Sequence, residues 1–590
     1  MGEKGIFQKF ISWRINHINN KQFIYILSVV IGIVMGFVAF IIKGSVHFIQ
    51  GILTEGFNRN FHNYLYFLYP AIGISATVLF TKYVIKQHVG HGIPSVLYAI
   101  SKTWGHIKRH NLFSSIVSSA LTVGFGGSVG LEGPTVATGA AFGSNLGRVL
   151  KLEYKQILLL LGCACSGAMA AIFKAPIAAV VFVLEVIMLD ISLSAIVLLL
   201  LSSATASITS YFIFGQNTLY TFDIHEKFVI EDVWYYIVLG VVCGFVSVYF
   251  TRIYMFLTNE FEKISRWKIR LLIGVSILGV IIFLFPSLYG EGYQAINMCL
   301  EGDYSYLFNN TAYFGLANNF IAIVILLMLV ILLKAVATTI TFGSGGVGGV
   351  FAPSLFVGAN TGLLFAKIAN YLRIDISVQN FALVGMAGVI SGIIHAPLTA
   401  IFLIAEITGG YDLFMPLMIV ATISYATTKI FTKNSVYTFQ LAKRGELITH
   451  DRDKSTFILM NIDSLIEKDF ESVHPDSTLK DLVAAISVSK RNVFPVLEKD
   501  GTMVGIITLN DIRNIMFKYE LWDSTYVRNI MYFPEVYVNY DDDLGQIADK
   551  IESSGRYNVP VLQDGKYIGF VSRARVFSEY RKLIKHFAEE

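Results

Sequence analysis

Apolar residues run in blocks through the first three quarters of the chain. The blocks fall near residues 23–45, 64–86, 111–128, 134–150, 157–172, 175–200, 203–214, 232–256, 268–286, 311–340, 352–370, 380–393, 397–410 and 413–431. A helix along the membrane normal needs roughly 20 apolar residues. Many blocks are shorter and are cut by glycine or proline, so the pattern predicts broken, tilted helices rather than a simple bundle. Irregular backbone at membrane depth persists only where protein buries it or where it lines water. After residue 450 the pattern changes to short β-branched runs, D-G turns and helical stretches.

The blocks repeat. "FKAPIAAVVFVLEV" (173–186) is echoed by "IHAPLTAIFLIAEI" (394–407), placing Pro176 over Pro397 and Glu185 over Glu406 at an offset of 221. About 40 residues earlier, "GGSVGLEGP" ends at Pro134 and "GGVGGVFAP" ends at Pro353, an offset of 219. Nearly equal offsets at two landmarks predict a duplicated membrane domain, with halves at about 22–214 and 232–440 and a transport site where they meet. The tail repeats as well: "RNVFPVLEKDGTMVGIITLNDI" (491–512) and "RYNVPVLQDGKYIGFVSRARV" (556–576) align Gly505 with Gly569, 64 residues apart. Each copy reads as strand, D-G turn, strand and helix. The expected organisation is an N-terminal segment 1–21, a membrane domain 22–440, a linker 441–455 and two small α/β modules at 456–516 and 525–586.

Composition fixes the solvent. With 54% hydrophobic residues, 15% charged residues and a mean hydropathy of +0.60, the chain is a membrane protein. Residues 1–450 carry 28 Lys or Arg against 19 Asp or Glu, and the last 140 carry 18 against 23. A basic membrane body is thus joined to an acidic, water-soluble tail. The first block lies behind Lys4, Lys9, Arg14 and Lys21 and shows no Ala-x-Ala-like cleavage site, so it reads as a retained helix with its N-terminus in the cytoplasm. Cys163, Cys165, Cys243 and Cys299 have no metal-site or C-x-x-C spacing and read as small apolar fillers, and no metal site is expected.

The prolines point to chemistry. Pro134, Pro176, Pro353 and Pro397 each stand where a helix can begin, because the missing N–H would be unpaired there anyway. Helices that start inside a membrane present unpaired amides, and these attract anions. Several such ends converging could dehydrate an anion without a full positive charge and still release it. Glu132, just ahead of Gly133 and Pro134, could occupy the same amide-lined place, blocking it when ionised and freeing it when protonated; the alternative is a helix cap. An enzyme built on Glu132, Glu185 and His91 lacks a nucleophile, a metal spacing and a soluble catalytic domain. No basic aromatic stripe suggests nucleic acid.

These motifs carry a resemblance over nearly the whole chain. "GHGIP" (90–94), "GLEGP" (130–134), "GGVFAP" (348–353) and the tyrosine in "KNSVYTFQLAK" resemble those of the CLC family of chloride channels and proton-coupled chloride antiporters, and the tail resembles a tandem CBS pair. The resemblance implies an all-α polytopic membrane protein with an inverted internal repeat, followed by a cytoplasmic α/β CBS pair. It implies a homodimer in the cell membrane with both termini cytoplasmic, carrying chloride and other small anions. Glu132 matches the gating glutamate. Val350 and Phe351 match residues whose amides bind the central anion, Tyr437 matches the hydroxyl donor, and His91, Gly92 and Ile93 fall in the anion-contacting GSGIP segment.

Three departures shape the expectation. His91 replaces the family's serine, Leu131 replaces the basic residue before the gating glutamate, and Val186 stands where antiporters carry an internal proton-accepting glutamate. Valine cannot take a proton, so the expected function is a chloride channel gated by Glu132, the alternative being a proton-coupled chloride antiporter. Glu185 is expected to bond to backbone. No Arg-rich voltage-sensing helix is present, so any voltage dependence would come from charge moving against Glu132. Lys174 either adds charge to a vestibule or snorkels. In the tail, Gly505 to Asp511 matches the adenine-nucleotide pattern of CBS modules, with Thr508 and Asp511 as contacts; the second copy keeps Ser572 but has Arg575 in place of the acid. ATP, ADP or AMP is the expected ligand there, Asp511 as a helix cap the alternative, and no cofactor is required for transport.

Overall fold

The computed structural model describes residues 14, 17–53, 65–87, 89–90, 92–103, 105–187, 193–215, 228–308, 319–408, 410–443, 462–542 and 544–579. His91 and most of the linker, from residue 444 onward, lie outside the described residues. The chain forms two compact units, Met1–Leu447 and Ile448–Glu590.

The first unit is helical. Its first half runs α1 (Asn20–Gly51), α2 (Leu65–Leu79), α3 (Ile93–Lys102), α4 (Asn111–Gly124), α5 (Glu132–Val149), α6 (Tyr154–Phe173), α7 (Pro176–Glu185) and α8 (Leu193–Phe214). Its second half runs α9 (Val233–Lys263), α10 (Trp267–Leu284), α11 (Tyr293–Leu300), α12 (Phe320–Gly343), α13 (Phe351–Tyr371), α14 (Val378–Ile394), α15 (Pro397–Ile407) and α16 (Phe414–Phe431), followed by α17 (Phe439–Lys443). Among the described residues nine helices are long and apolar enough to cross a membrane, while α4, α7, α14 and α15 are shorter. The apolar block 175–200 is not one element: α7 ends at Glu185 and α8 begins at Leu193. Apolarity continues through the break because the flanking residues Val186 and Ile187 are themselves buried.

The duplication is visible as reciprocal bonding. Ser128 N–H donates to Thr341 Oγ1 at 3.2 Å, and Val347 N–H donates to Thr122 Oγ1 at 3.1 Å, both partners shifted by the offset of 219. Gly130 and Gly349, also 219 apart, pair with each other through N–H···O bonds of 2.8 and 2.7 Å. Small residues let the equivalent helices touch: a Cβ at Gly143 of α5 would meet Leu160 O of α6 at 2.5 Å, and one at Gly362 of α13 would meet Phe381 O of α14 at 2.0 Å. Backbones in close contact replace the hydrophobic drive that lipid cannot supply between helices.

The second unit holds α18 (Ile462–Leu465), β1 (Ile466–Glu467), α19 (Leu479–Val488), β2 (Val493–Leu497), β3 (Met503–Thr508), α20 (Leu509–Ile512), β4 (Val538–Asn539), α21 (Leu544–Ser554), β5 (Asn558–Gln563) and β6 (Lys566–Ser572). Both expected hairpins form, β2 with β3 and β5 with β6, and their registers match: Val496 faces Gly505 and Val561 faces Gly569, each followed by an irregularity. Asp564 and Gly565 turn the second hairpin with φ of 52° and 80°, the backbone a two-residue reversal needs. The sheets are β2-β3 and β1-β6-β5-β4. Strand β1 thus precedes the first hairpin in sequence but completes the sheet of the second.

Candidate functional site

Glu132 opens α5 directly after the Gly130–Gly349 bridge, so the pairing between the halves fixes where its carboxylate points. The residue is 1% exposed. Its Oε1 accepts a hydrogen bond from the Tyr293 hydroxyl at 2.5 Å, and the backbone N–H groups of Glu132 and of Ala352, at the start of α13, also face the carboxylate. Gly130 makes room for that oxygen, since a Cβ there would lie 2.1 Å from it. Leu131, buried ahead of the carboxylate, donates its N–H to Glu291 Oε1 at 3.2 Å.

Beside Glu132 lies a narrow cavity, lined among others by Ile93, Pro94, Gly133, Gly349, Val350 and Tyr437. Six segments far apart in sequence thereby meet: the start of α3, the start of α5, Tyr254 of α9, Phe342 of α12, the start of α13 and the loop before α17. Gly92 caps α3 with φ of 72°, and a Cβ there would come within 2.8 Å of the Gly133 backbone, so glycine is what lets these two loops touch. Val350 caps α13 and Phe351 begins it, both buried. The Tyr437 hydroxyl is buried and has no hydrogen-bond partner. Buried hydroxyls are normally paired. His91 lies outside the described residues, so its placement relative to this cavity is not part of the geometry.

Glu185 ends α7 and bonds to backbone as expected. It accepts from Leu398 N–H at 3.2 Å, Thr399 N–H at 2.8 Å and Thr399 Oγ1 at 2.7 Å, at the start of α15. Its repeat partner Glu406 accepts from Ile177 and Ala178 N–H at 3.0 and 2.8 Å, at the start of α7. Each half therefore caps the other half's proline-initiated helix, and these carboxylates are committed to structure. Val186 is buried beside Glu185. Lys174 sits at φ of 57° after α6, donating to Gly215 O at 2.8 Å, with its ammonium 5.0 Å from the Tyr211 ring centre. The four cysteines are free and buried. Among the described residues no cluster suited to a metal ion occurs.

In the tail, Thr508 caps α20 in a capping box: Asp511 Oδ2 accepts from Thr508 N–H at 2.8 Å and from its hydroxyl at 2.7 Å. Ser572 donates to Glu467 and accepts Arg575 N–H at 3.1 Å, while the Arg575 side chain donates to Ser464 O at 3.1 Å. The second copy is thus occupied by contacts to the segment around β1, and the first has its acid turned onto its own cap.

Sequence reading missed three residues around Glu132: Tyr293, Glu291 and, behind the loop that carries them, Lys334. Lys334 is fully buried and donates to Leu288 O at 3.3 Å and Gly290 O at 3.0 Å. A signal for the first two existed, because the G-x-G at 90–92 recurs at 290–292, outside the two offsets that revealed the duplication.

A family profile described as voltage gated chloride channel matches residues 72–429, and one described as CBS domain matches residues 462–518 and 527–582. The H(+)/Cl(-) exchange transporter ClcA of Vibrio parahaemolyticus is 29% identical over 417 residues, covering 67% of this chain and 84% of the relative. The putative chloride channel protein ClcB-like of Ralstonia nicotianae is 30% identical over 390 residues, covering 64% of this chain and 86% of the relative. Among solved structures, that of a slow cyanobacterial Cl-/H+ antiporter superposes with a TM-score of 0.59 at 21% identity, over 72% of this chain and 98% of its own. At that identity the likeness speaks for the fold.

The expectation of an uncoupled, glutamate-gated channel is corrected here. ClcA proteins of several Vibrio species, all named as H(+)/Cl(-) exchange transporters, match about two thirds of the chain. Val186 removes one proton acceptor but does not exclude coupling, because a proton can also reach a carboxylate through water. A polytopic helical membrane domain with a paired α/β tail, matched over these two ranges, makes the chain a member of the voltage gated chloride channel family with a C-terminal CBS domain pair.

Proposed function

We propose that the protein exchanges chloride for protons across the membrane, with Glu132 serving both ions. The ionised carboxylate occupies the anion path; the neutral acid leaves it and carries the proton. The observation that carries this reading is a buried Glu132 carboxylate held at the start of α5 beside a cavity lined by Gly349 and Val350, at the start of α13, and by Tyr437, whose buried hydroxyl is unpaired. Such donors suit a dehydrated anion, and the exchange-transporter names of the relatives support the coupling. With Val186 apolar and Glu185 engaged by three hydrogen bonds, the proton on that side travels through water.

Purified protein in liposomes under an outward chloride gradient should acidify the lumen against a proton gradient, at a fixed ratio to chloride efflux. Chloride efflux with no accompanying pH change would overturn the reading.

The same reading includes a homodimer with both termini cytoplasmic and an adenine nucleotide at the tail. Thr508 and Asp511 offer a hydroxyl and a carboxylate at one site, and Ser572 a hydroxyl at the other. In the full-length protein in detergent, AMP, ADP or ATP should raise the unfolding temperature, and Asp511→Asn should weaken that effect about tenfold in apparent affinity. Asparagine keeps an acceptor for the α20 cap, so the loss would report the ligand. No thermal shift at millimolar nucleotide would make the tail a structural module.

A further inference from the structure

Each half of the membrane unit carries a G-x-G segment leading into a short helix: Gly90 to Gly92 precedes α3, and Gly290 to Gly292 precedes α11. The second glycine of each is an N-cap at positive φ, 72° at Gly92 and 88° at Gly292. In the first half, the residues that follow, Ile93 and Pro94, line the cavity. In the second half the residue in Ile93's place is Tyr293, and its hydroxyl donates to Glu132 Oε1 at 2.5 Å. One G-x-G segment thus leads to the cavity and the other to Glu132.

That second loop is fastened along its length to the loop carrying Glu132. Ser128 Oγ donates to Leu288 O at 2.7 Å, Gly290 N–H donates to Gly126 O at 3.3 Å, and Leu131 N–H donates to Glu291 Oε1 at 3.2 Å. From beneath, Lys334 of α12 holds the carbonyls of Leu288 and Gly290, its ammonium lying 4.9 Å from the Phe356 ring centre. A hydroxyl held at both ends of its own loop costs little further ordering to present to a carboxylate. Phenol-to-carboxylate bonds are charge-assisted, so the bond favours the ionised form over the neutral acid.

We propose that Tyr293 is a positioning residue for exchange: its hydroxyl latches ionised Glu132 in the anion path, so that protonation weakens this bond and anion binding displaces the carboxylate from it. The proposal rests on the exchange reading of Glu132. The charged and titratable groups around the carboxylate are Lys43 from α1, Glu291 and Tyr293 from the α11 loop, and Tyr437, with Lys334 of α12 facing Glu291 and Lys174 facing Lys43. None of these other groups is altered when the phenol oxygen alone is removed.

The test is chloride efflux from liposomes as a function of pH for wild type, Tyr293→Phe, Glu132→Gln and the double variant, with folding checked by thermal unfolding in detergent. In Tyr293→Phe the pH of half-maximal flux should rise by about one unit, because protonation no longer weakens a charge-assisted bond. Calorimetric chloride binding in detergent should tighten about threefold or more, because the carboxylate competes less well. The double variant should match Glu132→Gln in both readouts. An unchanged midpoint and affinity in Tyr293→Phe, or a shift that persists in the Glu132→Gln background, overturns the latch. Loss of proton movement in Glu132→Gln alongside such a result leaves the exchange reading standing; retained proton movement in Glu132→Gln removes that reading instead.

Discussion

Glu132→Gln should abolish chloride-driven proton movement while chloride flux continues. Glutamine has the same shape and can still accept the Tyr293 hydroxyl bond at its carbonyl, but it takes up no proton at any working pH. Proton uptake in liposomes should fall to the vesicle background, at least about a hundredfold below wild type, because the neighbouring acid, Glu291, is engaged by the Leu131 N–H and no acid is among the residues lining the cavity. Chloride efflux should stay within about tenfold of wild type and lose its pH dependence, since a neutral amide competes poorly with an anion for amide donors. Both quantities come from one recording, chloride by electrode and lumenal pH by dye. Proton uptake that survives in a folded Glu132→Gln protein would show that Glu132 is only a helix cap.

The second large effect concerns stability. Glu185→Ala should destabilise the membrane unit by about 2 kcal/mol or more, because it strands two amides and a hydroxyl at the start of α15. Glu406→Ala should cost less, since it strands the amides of Ile177 and Ala178 alone. Thermal unfolding in detergent gives the order: wild type highest, Glu406→Ala next, Glu185→Ala lowest. Glu185→Gln should fall between wild type and Glu185→Ala, because one amide oxygen can still accept while its NH2 meets the remaining backbone donor and the charge that favours a carboxylate at a helix N-terminus is gone. Equal unfolding temperatures for wild type and both alanine variants would mean that lipid or detergent, rather than the opposite half, satisfies those helix ends.

The cross-caps also explain why the duplication is not two domains. Each half leaves unpaired amides at its proline-initiated helix, and only the other half brings the acid that accepts from them. The Ser128–Thr341 and Val347–Thr122 bonds repeat the arrangement at the loops, and the Gly130–Gly349 pair closes it. Backbone at membrane depth has no water to turn to. Neither half therefore satisfies its own hydrogen bonds, and the loops that meet include the one that bears Glu132.

Much of this was written in the chain's local chemistry. Hydropathy and glycine or proline spacing determined a membrane domain of interrupted helices. Near-constant offsets determined the duplication, and alternating β-branched runs with D-G turns determined two hairpins in the tail. Those features are local because a helix start, a tight turn or an apolar face depends on a few neighbouring residues. The motif around Glu132 was legible for the same reason: an acid next to Gly-Pro in an apolar chain is costly wherever it folds.

Tertiary structure decided what touches that acid. Tyr293 lies 161 residues from Glu132, and nothing local marks a tyrosine in "GEGYQ" as a hydrogen-bond donor to it. Lys334 looks in sequence like an isolated charge in an apolar helix; only the fold shows two carbonyls waiting for it. In the tail, β1 joins the second hairpin's sheet although it precedes the first, a pairing set by Ile466 and Glu467 facing Val571 and Phe570 across more than 100 residues. The physical reason is common to all three. A hydrogen bond needs a partner at about 3 Å whatever the separation along the chain, and sequence order records neighbours only where the backbone itself keeps them close.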